Sequence, residues 1–178
     1  MGRSHVQRYI DAAHQHGALL LLTLQPGRTD VLQTAQRWQW ALEDQWVGLA
    51  LDPEWRVGPT EVPGQAIGSV SAKEINKTAG WLARLTESRD LPKKLFAIHQ
   101  FQDAMVPDFG KVRSRPGLAT VQHVDGFGSP ADKLAAYAGA ARPRKFTMGS
   151  TIFDGEDEPR MRPRDVCRLK DVRFVPFQ

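Results

Sequence analysis

The sequence is poor in cysteine, in long apolar runs and in excess charge of one sign, and each shortage excludes a class of protein. The single cysteine, Cys167, excludes an intrachain disulfide and a metal site built from several cysteines. The longest apolar run, residues 18–22, is too short to cross a membrane. The chain has 24 Lys and Arg against 20 Asp and Glu, which leaves a net charge of +4. That excess is too small to imply nucleic acid, so we expect neither a nucleic-acid partner nor a membrane span.

The remaining composition is that of an ordinary globular protein. The 178 residues are 41% hydrophobic and 25% charged, which suits one domain over residues 1–178 with a sizeable core. Neither the dinucleotide-binding fingerprint nor the phosphate-binding P-loop occurs, and we expect no cofactor. The segment after Met1 is polar and predicts no signal peptide there. One free thiol is compatible with the cytoplasm.

Apolar runs alternate with helical patterns along the chain. Strands are predicted at residues 18–24, 47–51, 95–101, 118–124, 146–153 and 172–177. Helices are predicted at residues 4–16, at 30–44, after a capping box begun by Ser71 and Glu74, after Ser129 and Pro130, and near 163–169. Strands that alternate with helices predict a parallel sheet with right-handed crossovers.

Polar residues at the carboxyl ends of most strands favour a barrel over an open sheet. In a (β/α)8 barrel, groups from several strands meet at that end, whereas an open sheet uses only the strands at its switch point. The predicted fold is therefore α/β and TIM-barrel-like, but incomplete, with about six parallel strands. An incomplete barrel leaves open edges, so we expect a homo-oligomer or a partner chain to cover them. The strand-end residues are Gln25, Asp52, His99, Gln100, Asp125, Asp154 and Gln178.

Asp52 and Glu54 form the sharpest candidate pair. In an extended chain, residues two apart project to the same side, and Pro53 fixes the backbone between them. Paired carboxylates can divide the roles of general acid and base. The alternative is that Asp52 accepts backbone hydrogen bonds from the following loop while Glu54 is solvated.

Other strand ends supply further candidates. Asp125 precedes a glycine-rich turn and could be the third catalytic carboxylate, or it could cap the next helix. His99 and Gln100 project to opposite faces of their strand, so one would face the barrel axis and the other would lie under a helix. His99, His123, Asp52 and Asp125 are also suitable ligands for zinc or manganese, although their spacing matches no compact motif.

Three loop residues complete the candidate set for substrate binding, which also includes Gln25. Arg28 could bind a carboxylate or phosphate, or hold Asp52. Trp55 could stack on a sugar ring or pack within its loop. Asp154 is the member of the acidic run at residues 154–158 that we expect to face the site, with the others solvated.

Several motifs together resemble one group of proteins. They are LQPGRTD at residues 24–30, VGLALDPEW at 47–55, PGQAIG at 63–68, EIN at 74–76, LPKK at 91–94, HQF at 99–101 and DGFG at 125–128. Their order and spacing resemble an uncharacterised actinobacterial group, often exported or lipid-anchored, with a glycosidase-like barrel. The resemblance covers residues 6–178 and lacks the first two strands of the group's pattern. It implies a barrel fold and an exported protein.

These observations predict a glycoside hydrolase-like protein that acts on a carbohydrate or another small polar ligand. Two of Asp52, Glu54 and Asp125 would act as acid and as nucleophile or base, and Arg28, His99 and Gln100 would hold substrate hydroxyls. One alternative is a metal-dependent hydrolase that uses the His/Asp set. Another is a non-catalytic binding or structural protein derived from a barrel, which forms oligomers.

Overall fold

The α/β class and the parallel sheet are confirmed by a computed structural model, which describes residues 2–124 and 126–176. Six parallel strands lie in the sheet in chain order. The strands are β1 (Leu20–Leu24), β2 (Val47–Leu51), β3 (Lys94–Gln100), β4 (Leu118–Val124), β5 (Thr147–Gly149) and β6 (Val172–Phe174). The helices are α1 (Arg3–His16), α2 (Val31–Arg37), α3 (Gln39–Leu42), α4 (Ala72–Ser88), α5 (Pro130–Ala140) and α6 (Pro163–Val166).

The sheet curves toward itself. Side chains of β1 and β6, such as Thr23 and Phe174, line one cavity of about 560 Å³. Six flat strands would span about 24 Å, because neighbouring parallel strands lie about 4.8 Å apart. A cavity of this size reaches both edge strands only if the sheet bends around it. The sequential strand order and this curvature are consistent with a partial barrel-like fold.

The main core lies between the sheet and the helices. Leu49 and Phe96 of the central strands are fully buried there, against Ile75 and Leu82 of α4. On the opposite, cavity-facing side of the strands, small residues such as Ala50 and Ala97 leave space at the centre of the curve. This division follows the two-residue alternation of side chains along each strand. It places the cavity on the face of the sheet away from the helices.

Some predicted elements are shorter than expected. The helix predicted at 30–44 is divided into α2 and α3 at Trp38, whose φ of −102° and ψ of 10° are not helical. The strand predicted at 146–153 ends at Gly149 because the register with β6 shifts there. Hydrogen bonds nevertheless continue beyond it, since the amides of Ser150 and Ile152 donate to the carbonyls of Phe174 and Pro176.

The predicted helix starts at Ser71 and Ser129 are confirmed. The Ser71 hydroxyl accepts a hydrogen bond from the Glu74 amide, and Ser129 and Asp132 form a complete capping box. The Glu74 carboxylate has a different role, because it accepts from the Val31 amide and the Arg56 guanidinium and so joins α4 to α2 and to the loop after β2. None of the helices in the described ranges is long and apolar enough to cross a membrane.

Lys94, at the start of β3, makes stability depend on pH. Its buried ammonium donates to the carbonyls of Asp44 and Val47 at 2.7 and 2.9 Å, and burial lowers its pKa to about 8. Between pH 8 and about 10.5 the folded chain therefore releases this proton while the unfolded chain keeps it, and this contribution to stability rises with pH. We expect the difference in unfolding free energy between the wild type and Lys94→Met to grow over this range in urea titrations. A difference independent of pH would contradict this.

Candidate functional site

The candidate site is the cavity at the carboxyl ends of the strands. Residues from all six strands, or from the segments directly after them, contribute to its wall. Its polar groups gather around the ends of β2, β3 and β4, and aromatic side chains surround them. The lining residues are Leu21, Thr23, Gln25, Ala50, Asp52, Glu54, Trp55, Ala97, His99, Phe101, His123, Phe127, Thr151, Phe153, Phe174 and Pro176.

Asp52, Glu54 and His99 form the polar centre of the cavity. The Nδ1 atom of His99 lies 3.3 Å from Oε1 of Glu54 and 3.7 Å from Oδ1 of Asp52. One ligand atom from each of the three residues can be chosen so that all lie within 4.8 Å of one another. Each side chain is less than one-fifth exposed. The two carboxylates that the sequence suggested as a pair thus lie close together.

The backbone brings this pair together in a different way from the one expected. The chain does not stay extended, because Pro53–Trp55 form a 3-10 turn directly after β2. The Asp52 side chain does not cap that turn. The carbonyl of Glu54 accepts a hydrogen bond from the amide of Gly68 at 2.7 Å, which ties the turn to the end of the long loop. The turn therefore holds Glu54 beside the end of β3.

One oxygen of Glu54 is in an unusual environment. Its Oε2 atom is shielded from solvent and has no hydrogen-bond partner among the residues that the structure describes. Buried polar atoms normally have partners because an unpaired one costs free energy. A bound water molecule or a ligand could supply the missing partner.

His123 extends the polar centre toward β5. It pairs in register with His99 on the neighbouring strand, and the two rings are 5.6 Å apart. Its Nε2 atom lies 2.8 Å from the Thr151 hydroxyl. Gly149 provides the space for this arrangement, because a Cβ atom there would lie 2.9 Å from the Phe174 ring and 3.2 Å from the His123 ring.

Aromatic side chains form the rim of the cavity. Trp55 lies on one side, where its ring packs against Gly64, and Phe127 and Phe153 meet edge to face at 6.5 Å. Phe127 is 63% exposed, so its ring is open to contact by a ligand at the cavity mouth. Flat apolar faces beside carboxylates are what a sugar ring requires, since its C–H face is apolar and its hydroxyls are polar.

A buried ion pair holds the Phe127 and Phe153 loops together. The ammonium of Lys133, in α5, contacts both carboxylate oxygens of Asp157 at 3.0 and 3.2 Å and donates to the Gly126 carbonyl. Asp157 also accepts from the amides of Gly128 and Phe153. The pair therefore ties together the two loops that carry the aromatic rim.

Not every candidate residue lies in the cavity. Gln25, Asp52, Glu54, Trp55 and His99 line it, but three other candidates do not. The side chain of Gln100 is fully buried on the helix-covered face, where it bonds to Gln122 and to the Gln102 carbonyl. The exposed Arg28 guanidinium donates to the Glu61 carbonyl, and the exposed Asp154 pairs with Arg160. The catalytic candidate Asp125 lies outside the described residues.

Sequence reasoning missed Thr151 and most of the aromatic rim. Phe101, Phe127 and Phe153 lie shortly after the carboxyl ends of β3, β4 and β5, as the polar candidates do. Their position in the sequence could therefore have identified them. Thr151 lies two residues beyond Gly149, the β5 residue paired with His123. That relation requires the register of the sheet, which the sequence alone does not supply.

The polar centre also has a donor set suitable for a metal ion. Asp52, Glu54 and His99 supply two carboxylates and one imidazole, and catalytic zinc sites use three protein ligands of these types with a water in the fourth position. Oxygen and nitrogen donors of this kind also bind manganese. Among the described residues, Glu54 completes this set and His123 is not part of it. Asp125, which the sequence also suggested as a ligand, lies outside the described residues.

Comparison with known proteins adds no family assignment. A scan of protein-family models found no match to the chain, and neither did searches of curated proteins and of solved structures.

Proposed function

We propose that the chain is an incomplete (β/α) barrel that hydrolyses a glycosidic bond with Asp52 and Glu54. The observation that carries this proposal is the approach of the two carboxylates to within 4.8 Å in a cavity with an aromatic rim. Retaining glycosidases hold their two carboxyl groups about 5 Å apart, whereas inverting enzymes need more room for a water molecule. The resemblance to proteins with glycosidase-like barrels supports the barrel part of this proposal and not the reaction.

The two carboxylates take different roles in this reaction. Glu54 donates a proton to the oxygen of the leaving group, since its side chain lines the cavity beside Trp55 of the rim. Asp52 attacks the anomeric carbon as its bond to the leaving group breaks. A water molecule that Glu54 deprotonates then displaces Asp52 and completes the hydrolysis. His99, in contact with both, orients the pair. Trp55 and Phe127 hold the ring against the rim.

A metal-dependent hydrolase is the second candidate function. The observation that favours it is the compact donor set of Asp52, Glu54 and His99. In this reaction the three side chains would hold zinc or manganese, which lowers the pKa of a bound water and so generates the attacking hydroxide. Trp55 and Phe127 would again supply the walls of the substrate site.

One assay distinguishes the candidates. The purified chain is incubated with soluble α- and β-linked glucans, galactans, mannans and arabinans, with and without EDTA, and released reducing ends are measured. Release that resists EDTA and is lost in Glu54→Gln supports the glycosidase. Release that EDTA abolishes and manganese or zinc restores supports the metal enzyme. No release from any polymer, with or without metal, contradicts the glycosidase and favours a non-catalytic protein.

A further inference from the structure

A groove on the outer side of α4 carries a cluster of cations that the proposed reaction does not use. The groove has a volume of about 810 Å³ and runs between α4 and the segment that leads into β4. We call it the α4 groove. Its charged lining residues are Lys73, Lys77, Arg84, Glu87, Asp90 and Arg115.

The cations lie on one side of the helix. Lys73, Lys77 and Arg84 follow one another at intervals of four and seven residues, which places them along the same face as Gly80. Arg115 reaches this face from the facing segment. None of the ion pairs found among the described residues includes any of these four cations. The groove lining therefore holds four cations against two carboxylates, Glu87 and Asp90.

Two guanidinium groups converge over Gly80. A Cβ atom at that position would lie 3.6 Å from Nη1 of Arg84 and 3.9 Å from Nη2 of Arg115. The two nitrogens are thus at most 7.5 Å apart (3.6 + 3.9), near enough for one tetrahedral oxyanion to bridge them. The Nε atom of Arg115 is shielded from solvent and has no hydrogen-bond partner among the described residues.

We propose that the α4 groove binds a phosphate or sulfate group between Arg84 and Arg115, above Gly80. Guanidinium groups suit this ligand because each can give two parallel hydrogen bonds to a tetrahedral oxyanion. Gly80 leaves space for the oxyanion. A methyl group at this position would make only ordinary van der Waals contacts with the protein, but it would fill the space between the two guanidinium groups. Glu87 and Asp90, which also line the groove, are suitable acceptors for hydroxyl groups of the molecule that carries the oxyanion.

The test is an NMR titration of the ¹⁵N-labelled chain at constant ionic strength. The probes are glucose 6-phosphate and glucose 6-sulfate, with glucose as the uncharged reference. We expect saturable shifts at the amides of Gly80, Arg84 and Gly117 with at least one of the two esters, and none with glucose. The ester that binds more tightly identifies the source of the oxyanion.

Three variants make the result specific. Arg115→Gln and Gly80→Ala should each weaken binding at least fivefold, whereas Gln in place of the exposed Lys93, outside the groove, should leave it unchanged. Gly80→Ala is the sharpest of these because it keeps every charge and favours the helix. Unchanged binding in Gly80→Ala, or shifts that do not saturate and are equally large near Arg142 and Lys145, would overturn the proposal. Because the groove lies outside the cavity of Asp52 and Glu54, this result is independent of the proposed reaction.

Discussion

Glu54→Gln is expected to lower kcat for polysaccharide hydrolysis by about 10²- to 10⁴-fold, the usual contribution of a positioned general acid. The substitution keeps the size of the side chain and one oxygen near Nδ1 of His99, but the amide has no acidic proton to donate. Asp52→Asn is expected to cause a loss of similar size, because an amide cannot attack the anomeric carbon as a carboxylate does. The measurement is the initial rate of reducing-end release on the polymer that the wild type cleaves.

The matched control for Glu54→Gln is Glu156→Gln. Glu156 is an exposed carboxylate in the acidic loop after β5, outside the cavity. Its replacement changes the charge by the same amount and should leave kcat unchanged. Equal rates in wild type and Glu54→Gln, with unchanged melting temperatures, would rule out Glu54 as the general acid. A KM effect without a kcat effect would assign Glu54 to binding only.

The alternation of apolar runs and helical patterns was sufficient to predict the class and direction of the sheet. The run that ends at Leu51 has no polar side chain and every residue of β2 is buried, as is typical of a central strand in a parallel sheet. The helix starts were equally predictable from the sequence. Ser71 and Ser129 cap their helices through hydrogen bonds to residues only three positions further along the chain. These features are local, and the sequence therefore predicts them well.

The candidate site was predictable only where a strand end fixes the side-chain direction. Side chains alternate between the two faces of β3, so only one of His99 and Gln100 can face the cavity. Gln100 faces the helices, where it bonds to Gln122 on the neighbouring strand, and His99 therefore faces the cavity. This choice depends on a contact between strands, which the sequence alone does not show. Arg28 and Asp154 are in loops, where the path of the chain sets the direction of a side chain. Arg28 bonds to the Glu61 carbonyl and Asp154 pairs with Arg160, and neither contact could be predicted from the sequence. Glu54 was placed correctly beside Asp52 although the reason was wrong, because a 3-10 turn took the place of the extended chain.

Lys133→Met is expected to lower the free energy of unfolding by about 3–5 kcal/mol, the usual effect of removing one member of a buried ion pair. The Lys133 side chain is only 2% exposed and that of Asp157 is fully buried. Methionine fills much of the same volume, so the main loss is electrostatic: the Asp157 carboxylate keeps two amide donors but loses its counter-charge. Urea denaturation of wild type and variant measures the effect. Lys93→Met, at an exposed position, should change stability little.

The double variant Lys133→Met/Asp157→Leu separates the charge from the packing. Removing both charges should recover part of the stability lost in Lys133→Met, because no uncompensated carboxylate remains buried. Recovery should be incomplete, since the amides of Gly128 and Phe153 lose their acceptor. Those amides belong to the loops that carry Phe127 and Phe153, so both variants should also raise KM for the polymer. A double variant no more stable than Lys133→Met would show that the backbone hydrogen bonds to Asp157, rather than the ion pair, hold the aromatic rim.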